Sequence, residues 1–124
     1  MSELAFLAGR TVAEIRIGSD GDTRIVFEPG SNEEPSLYAD LGWCVYEGDG
    51  GSPRPLRTMT GSVVRSASVA AGVLAISFTD GAIATCRPDA AVEAWQVVGG
   101  RLGHLIVCMP GGEVAVFASR DAGA

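Results

Sequence analysis

A chain of 124 residues with 47% hydrophobic content is long enough to bury a core as one domain without disulfides or a metal. Its net charge is −6 and all nine basic residues are arginines, so a phosphate backbone is repelled and nucleic acid is not an expected partner. No apolar run approaches the ~18 residues of a membrane span, and MSELAFLAGR lacks the basic start and apolar length of a signal peptide, so a cytoplasmic protein is expected.

Seventeen glycines, spread between apolar runs, favour short strands joined by tight turns. Residues 2–8 suit one or two helical turns capped by Ser2 and ended by Gly9, or an extended arm. Period-two alternation starts after Arg10: Ala13, Ile15 and Ile17 share one face, Glu14 and Arg16 the other. The turn residues Gly18 to Asp22 lead to a partner strand with Ile25 and Phe27 inward, which makes a hairpin. Pro29 to Pro35 is a polar loop, and Ser36 to Tyr46 reads as a strand broken or bulged near Gly42. A mobile, linker-like loop is expected at about 47–58.

Beyond that loop, Val63–Val69 and Val73–Thr79 form a second hairpin, followed through an expected type I′ Asp80-Gly81 turn by Ala82–Arg87. A strand from about Val92 to Val98, one from His104 to Met109 and one from Glu113 to Phe117 complete the series, with Pro110-Gly111 placed for a type II turn. The first and second hairpins echo each other. Gly9, Val12, Ile17, Ile25 and Phe27 align with Gly61, Val64, Val69, Ile76 and Phe78, which suggests a duplicated ββ unit. The expectation is an all-β single domain over 1–124, with about nine mostly antiparallel strands following one another in space. It would be a sandwich or a partly open barrel, with a flexible tail at 118–124.

Chemistry is harder to find. One histidine and three cysteines 42 and 22 residues apart make no metal-site spacing, and no cofactor is expected. Cys44, Cys86 and Cys108 each lie in an apolar run and read as buried reduced thiols. His104 and Cys108 share a strand face but sit about 13 Å apart at strand rise, too far for a nucleophilic pair. The glycines of 97–103 precede a strand, not a helix, and so make no phosphate cradle. No catalytic set emerges. Glu93 and Trp95 fall on one face of the same strand, which places either an exposed Trp beside an acid at a binding surface or a buried Glu that demands a partner such as an arginine; the plainer reading puts Trp95 at the sheet edge with Glu93 at its rim. Glu93, Trp95 and His104 are therefore the candidate binding residues.

EAW at 93–95, followed by IVCMPGGEVAVF, resembles a family of small uncharacterised actinobacterial proteins, a domain of unknown function. The resemblance extends to Leu7–Val12 (L-x-G-R-x-V) and to Leu74–Gly81 (L-x-I-x-F-x-D-G), and covers nearly the whole chain. It implies one domain and brings no activity or catalytic residue with it. Residues 1–50 hold ten acids and three arginines, while residues 51–124 hold five acids and six arginines. That asymmetry suits a non-enzymatic, immunity-like module engaging a basic protein partner through its acidic half or the Trp95 strand. Two further readings are a small-molecule binder or enzyme with a cavity between the sheets, and a homodimer that pairs edge strands such as 113–117.

Overall fold

The computed structural model describes residues 4–19, 21–28, 37–99 and 104–117, with Leu37 and His104 described by backbone alone. The expected Ser2 cap, the polar loop at 29–35 and the tail at 118–124 lie outside the described residues.

The fold is all-β: ten strands in two antiparallel sheets. They are β1 (Val12–Ile17), β2 (Thr23–Phe27), β3 (Leu37–Leu41), β4 (Cys44–Glu47), β5 (Val64–Ala70), β6 (Val73–Phe78), β7 (Ile83–Cys86), β8 (Trp95–Gly99), β9 (His104–Cys108) and β10 (Val114–Phe117). The longer sheet runs β1-β2-β3-β8-β9-β10 and the shorter β4-β7-β6-β5. Their inner faces pack as a sandwich. The sheets do not close into a ring, so the fold is not a closed barrel. The strands also depart from a simple meander: β3 pairs with β8 and β4 with β7, although neither pair is consecutive in the chain.

The stretch from 36 to 46 explains the difference. Its break at Gly42 is a corner at which the chain leaves one sheet for the other. Gly42 donates its N–H to the Ala94 carbonyl at 2.8 Å, and a Cβ at Gly42 would lie 2.9 Å from that same oxygen. Only glycine lets the two backbones approach so closely.

The echo between the two hairpins has a structural counterpart. Shifting residue numbers by 52 maps Gly9 N–H to Val64 O onto Gly61 N–H to Val12 O, both 2.8 Å. The same shift maps Val12 N–H to Ser62 O onto Val64 N–H to Arg10 O, again both 2.8 Å. These reciprocal bonds surround the Thr11–Val63 bridge and join β1 to β5, tying the sheets together at one side. Each first strand is bulged directly after its matching valine, Val12 or Val64. Each is preceded by a single 3-10 turn, Ala5–Leu7 or Leu56–Met59, which buries Leu7 or Met59. The duplication extends beyond the expected ββ unit. β1-β2-β3 matches β5-β6-β7, and the fourth strand of each half pairs in the other half's sheet.

Between the sheets lie Ile25, Phe27, Leu41, Trp95, Val97 and Ile106 from one side and Tyr46, Leu74, Ile76 and Phe78 from the other, all at most 3% exposed. Tyr46 meets Phe78 edge-on, with ring centroids 5.9 Å apart. The linker-like segment is ordered against this body: Arg54 donates its N–H to the Tyr46 carbonyl at 2.9 Å, its side chain pairs with Asp80 at 3.2 Å, and Met59 is fully buried.

Two turns exchange roles relative to expectation. Asp80-Gly81 is not type I′, since only Gly81 has positive φ (+91°). Phe78 and Ala82 close a three-residue loop with glycine in the left-handed position. The two-residue turn with positive φ at both central positions is Ala71-Gly72 (+53° and +78°), between the paired Ala70 and Val73. Pro110-Gly111 behaves as expected, with Gly111 at φ +90°.

Candidate functional site

Of the three sequence-selected residues, Glu93 and Trp95 both line one depression, and His104 is described by backbone alone. Trp95 lies on β8, fourth of six strands in its sheet, and is 2% exposed. Its indole N–H donates to the Gly72 carbonyl at 2.9 Å, and the Cys108 thiol reaches the same oxygen at 3.6 Å. Trp95 is thus a core residue that pins the β5–β6 turn, not an edge cap. Glu93 precedes β8, is exposed, and does not share a strand face with Trp95. The expected alternation fails because the strand begins at Trp95, after a backbone bend at which Ala94 and Trp95 are both buried. His104 opens β9 opposite Gly99; its side chain lies outside the described residues.

Glu93 borders a depression of about 480 Å³ on the outer face of the longer sheet. That face is set by register: Arg16, Arg24, Asp40 and Gln96 stand side by side on β1, β2, β3 and β8. The hollow is deepened in the next row, where Gly18, Gly42 and Ala94 carry almost no side chain and only Asp22 adds a carboxylate. Arg24 forks onto both Asp40 oxygens at 2.6 and 2.9 Å, Gln96 donates to Asp40 at 3.2 Å, and the Arg24 guanidinium lies 4.2 Å from the Tyr38 ring centroid. The Asp40 carboxylate and the Tyr38 ring hold Arg24 charged, raising its pKa. The wall is therefore rigid and internally neutralised. The Glu93 carboxylate at the rim makes no ion pair with the described residues.

The sequence does not single out the second tryptophan, because both tryptophans sit in apolar runs. Trp43 is 73% exposed, the most exposed large hydrophobic residue among those described. It precedes β4 at the sheet corner. Cross-strand pairing sets Val45 opposite Thr85 and Glu47 opposite Ile83, and Trp43 with Arg87 continues that ladder. Together they line a shallow hollow of about 150 Å³ on the outer face of the shorter sheet. Ile83 is 42% exposed beside it. Arg87 and Glu47 make no ion pair with the described residues. The rest of that face is low, with Ser66, Ser68, Ala75 and Ser77 on β5 and β6.

The thiols do not join either surface. Cys44 faces inward and is half-buried, while Cys86 and Cys108 are buried. Burial pushes the Cys44 thiol up to about 12, with the neighbouring Cys86 adding to the shift. Burial raises Cys86 and Cys108 as well. Among the described residues no three of His, Cys, Asp and Glu gather as a metal site. Among the described residues no helix is long and apolar enough to cross a membrane.

Comparison with known proteins places the chain in a family. A family model matches residues 44–118, and its description is "Family of unknown function (DUF6188)". The chain belongs to this family. The matched stretch begins at β4, so Trp43 lies just outside it and the Leu7–Val12 element well before it. No curated protein matches, and no solved structure matches.

Proposed function

We propose that the chain is a non-enzymatic, cytoplasmic protein-binding module whose contact surface is centred on Trp43. The observation that carries this reading is the placement of Trp43. The largest kind of apolar side chain stands in water on a low, flat sheet face, beside exposed Ile83 and beside Arg87 and Glu47, which make no ion pair with the described residues. Tryptophan and arginine dominate the energetics of protein interfaces, and small neighbours such as Ser68 and Ala75 let a partner approach closely. The net charge of −6 favours encounter with a basic partner, as an immunity-like protein would need.

The test is capture by the immobilised chain from its host lysate at low and high salt, comparing wild type with Trp43→Ala. The reading expects a salt-sensitive partner whose retention falls about 30-fold or more in the variant, the loss of a ~2 kcal/mol anchor. Equal retention by both forms would overturn it.

A second reading rests on the Arg24–Asp40–Gln96 wall, whose hollow is within the size range of small-ligand sites. It puts Glu93 at the rim as the contact for a cationic group. A small-molecule thermal-shift screen in which Glu93→Gln loses the hits would favour it over the first. The exposed Val116 and Phe117 on the β10 edge support a homodimer that could coexist with either.

A further inference from the structure

Cys44 and Cys86 are directly opposite each other on β4 and β7. Which kind of opposition this is follows from the neighbouring bonds. Tyr46 accepts from Arg54, outside the sheet, and Gly48 donates to Ser52 on that same side, so the peptide groups of Tyr46 and, by period two, of Cys44 point away from β7. From the other side, Phe78 N–H donates to Ala82 O, which turns the peptide groups of Ala82, Ala84 and Cys86 towards β6. Cys44 and Cys86 are therefore a non-hydrogen-bonded antiparallel pair. In such a pair the α-carbons approach to about 4.5 Å, inside the roughly 4.4–6.8 Å range that a disulfide spans. Both side chains face the core, and the two thiols sense each other electrostatically.

We infer that Cys44 and Cys86 are a site of oxidative modification, a cross-strand dithiol that a peroxide closes to a disulfide. Cys44 is the more accessible of the two and reacts first. Its sulfur attacks one peroxide oxygen, giving the sulfenic acid and hydroxide. The Cys86 sulfur then attacks the Cys44 sulfur, forming the S–S bond, and the sulfenic oxygen leaves as water. Overall, two thiols and one hydrogen peroxide give one disulfide and two waters, the thiols supplying two electrons. Raised thiol pKa values make both closing and reopening slow, since little thiolate is present to attack and a thiolate of high pKa is a poor leaving group. The bond would tie the exchanged fourth strand of the first half to the second half, closing a loop of about 42 residues. This inference is independent of the Trp43 surface.

The sequence makes the test clean. The only basic residues are arginines, and Arg54 and Arg87 precede proline, so trypsin leaves Cys44 on 25–57, Cys86 on 66–101 and Cys108 on 102–120. Folded protein is treated with hydrogen peroxide, blocked with N-ethylmaleimide and digested without reduction; a urea-unfolded sample is treated in parallel. The expected result in the folded sample is a single cross-linked species, 25–57 with 66–101, retained in Cys108→Ala and absent in Cys44→Ala. The melting temperature of the oxidised wild type should rise by about 5 °C or more. Cross-links involving 102–120, or three blocked or over-oxidised cysteines with no cross-link, would overturn the inference. So would a folded-state pattern no more selective than the unfolded one.

Discussion

Replacing Trp95 with phenylalanine tests whether this tryptophan is structural. The substitution keeps an aromatic ring in the core but removes the donor to Gly72 at 2.9 Å. The Gly72 carbonyl, in a buried turn, would keep only the weak Cys108 thiol at 3.6 Å, and leaving it so poorly satisfied costs about 1–2 kcal/mol. The vanished five-membered ring removes packing around a side chain only 2% exposed, adding about 1–2 kcal/mol. The sum is about 2–4 kcal/mol, or roughly 6–15 °C in melting temperature for a domain of this size. Urea unfolding followed by far-UV circular dichroism reads the change directly, with an unaltered slope showing that the unfolded state is not what moved. The matching change at the other tryptophan, Trp43→Phe, should stay within about 0.5 kcal/mol of wild type. A Trp95→Phe variant as stable as Trp43→Phe would refute the assignment of one tryptophan to the core and the other to the surface.

Two further outcomes follow from local geometry. Ala71 holds a left-handed backbone (φ +53°) at an exposed turn position that suits asparagine better, so Ala71→Asn should stabilise by about 0.5–1 kcal/mol in the same urea assay. The cysteines set an alkaline limit. Cys44 ordinarily loses its proton near 9.0 and is held by burial to about 12 in the fold. The unfolded chain therefore releases this proton first, and stability present below pH 9 should decline as pH rises from 9 towards 12. The urea midpoint measured across that window should fall more steeply for wild type than for Cys44→Ala.

Much of the fold could be read from spacing alone. The alternation of Leu74, Ile76 and Phe78 is a direct record of one buried face, but that of Ala13, Ile15 and Ile17 is not: the bulge after Val12 buries that valine and leaves Ile15 half-buried and Ala13 and Ile17 exposed. Pro110-Gly111 announced its own turn because proline and glycine each restrict or permit one dihedral region. The corner at Gly42 looked like a bulge, since a local break does not say whether the strand resumes in the same sheet. The hairpin echo showed the duplication but not that the fourth strands exchange, as pairing between β3 and β8 depends on residues more than 50 positions apart. Ala71-Gly72 was missed because tertiary packing of the turn, against Gly112 and the Trp95 indole, overrides the poor left-handed preference of alanine. The candidate site was the least legible part. Trp43 and Trp95 occupy similar apolar surroundings in the sequence, and only the direction of the chain after the Gly42 corner puts one in water. Glu93 kept its exposure but lost its proposed neighbour, because strand β8 starts two residues after it.

The central claim is that Trp43 is the contact residue, and its own emission tests it most directly once a partner has been captured. Free protein should show an exposed, acrylamide-quenchable tryptophan component, absent from Trp43→Phe. Titrating the partner should shift that component to the blue and protect it from acrylamide, with no such change in the variant. A partner that binds while Trp43 emission and quenching stay as in the free protein would contradict the account.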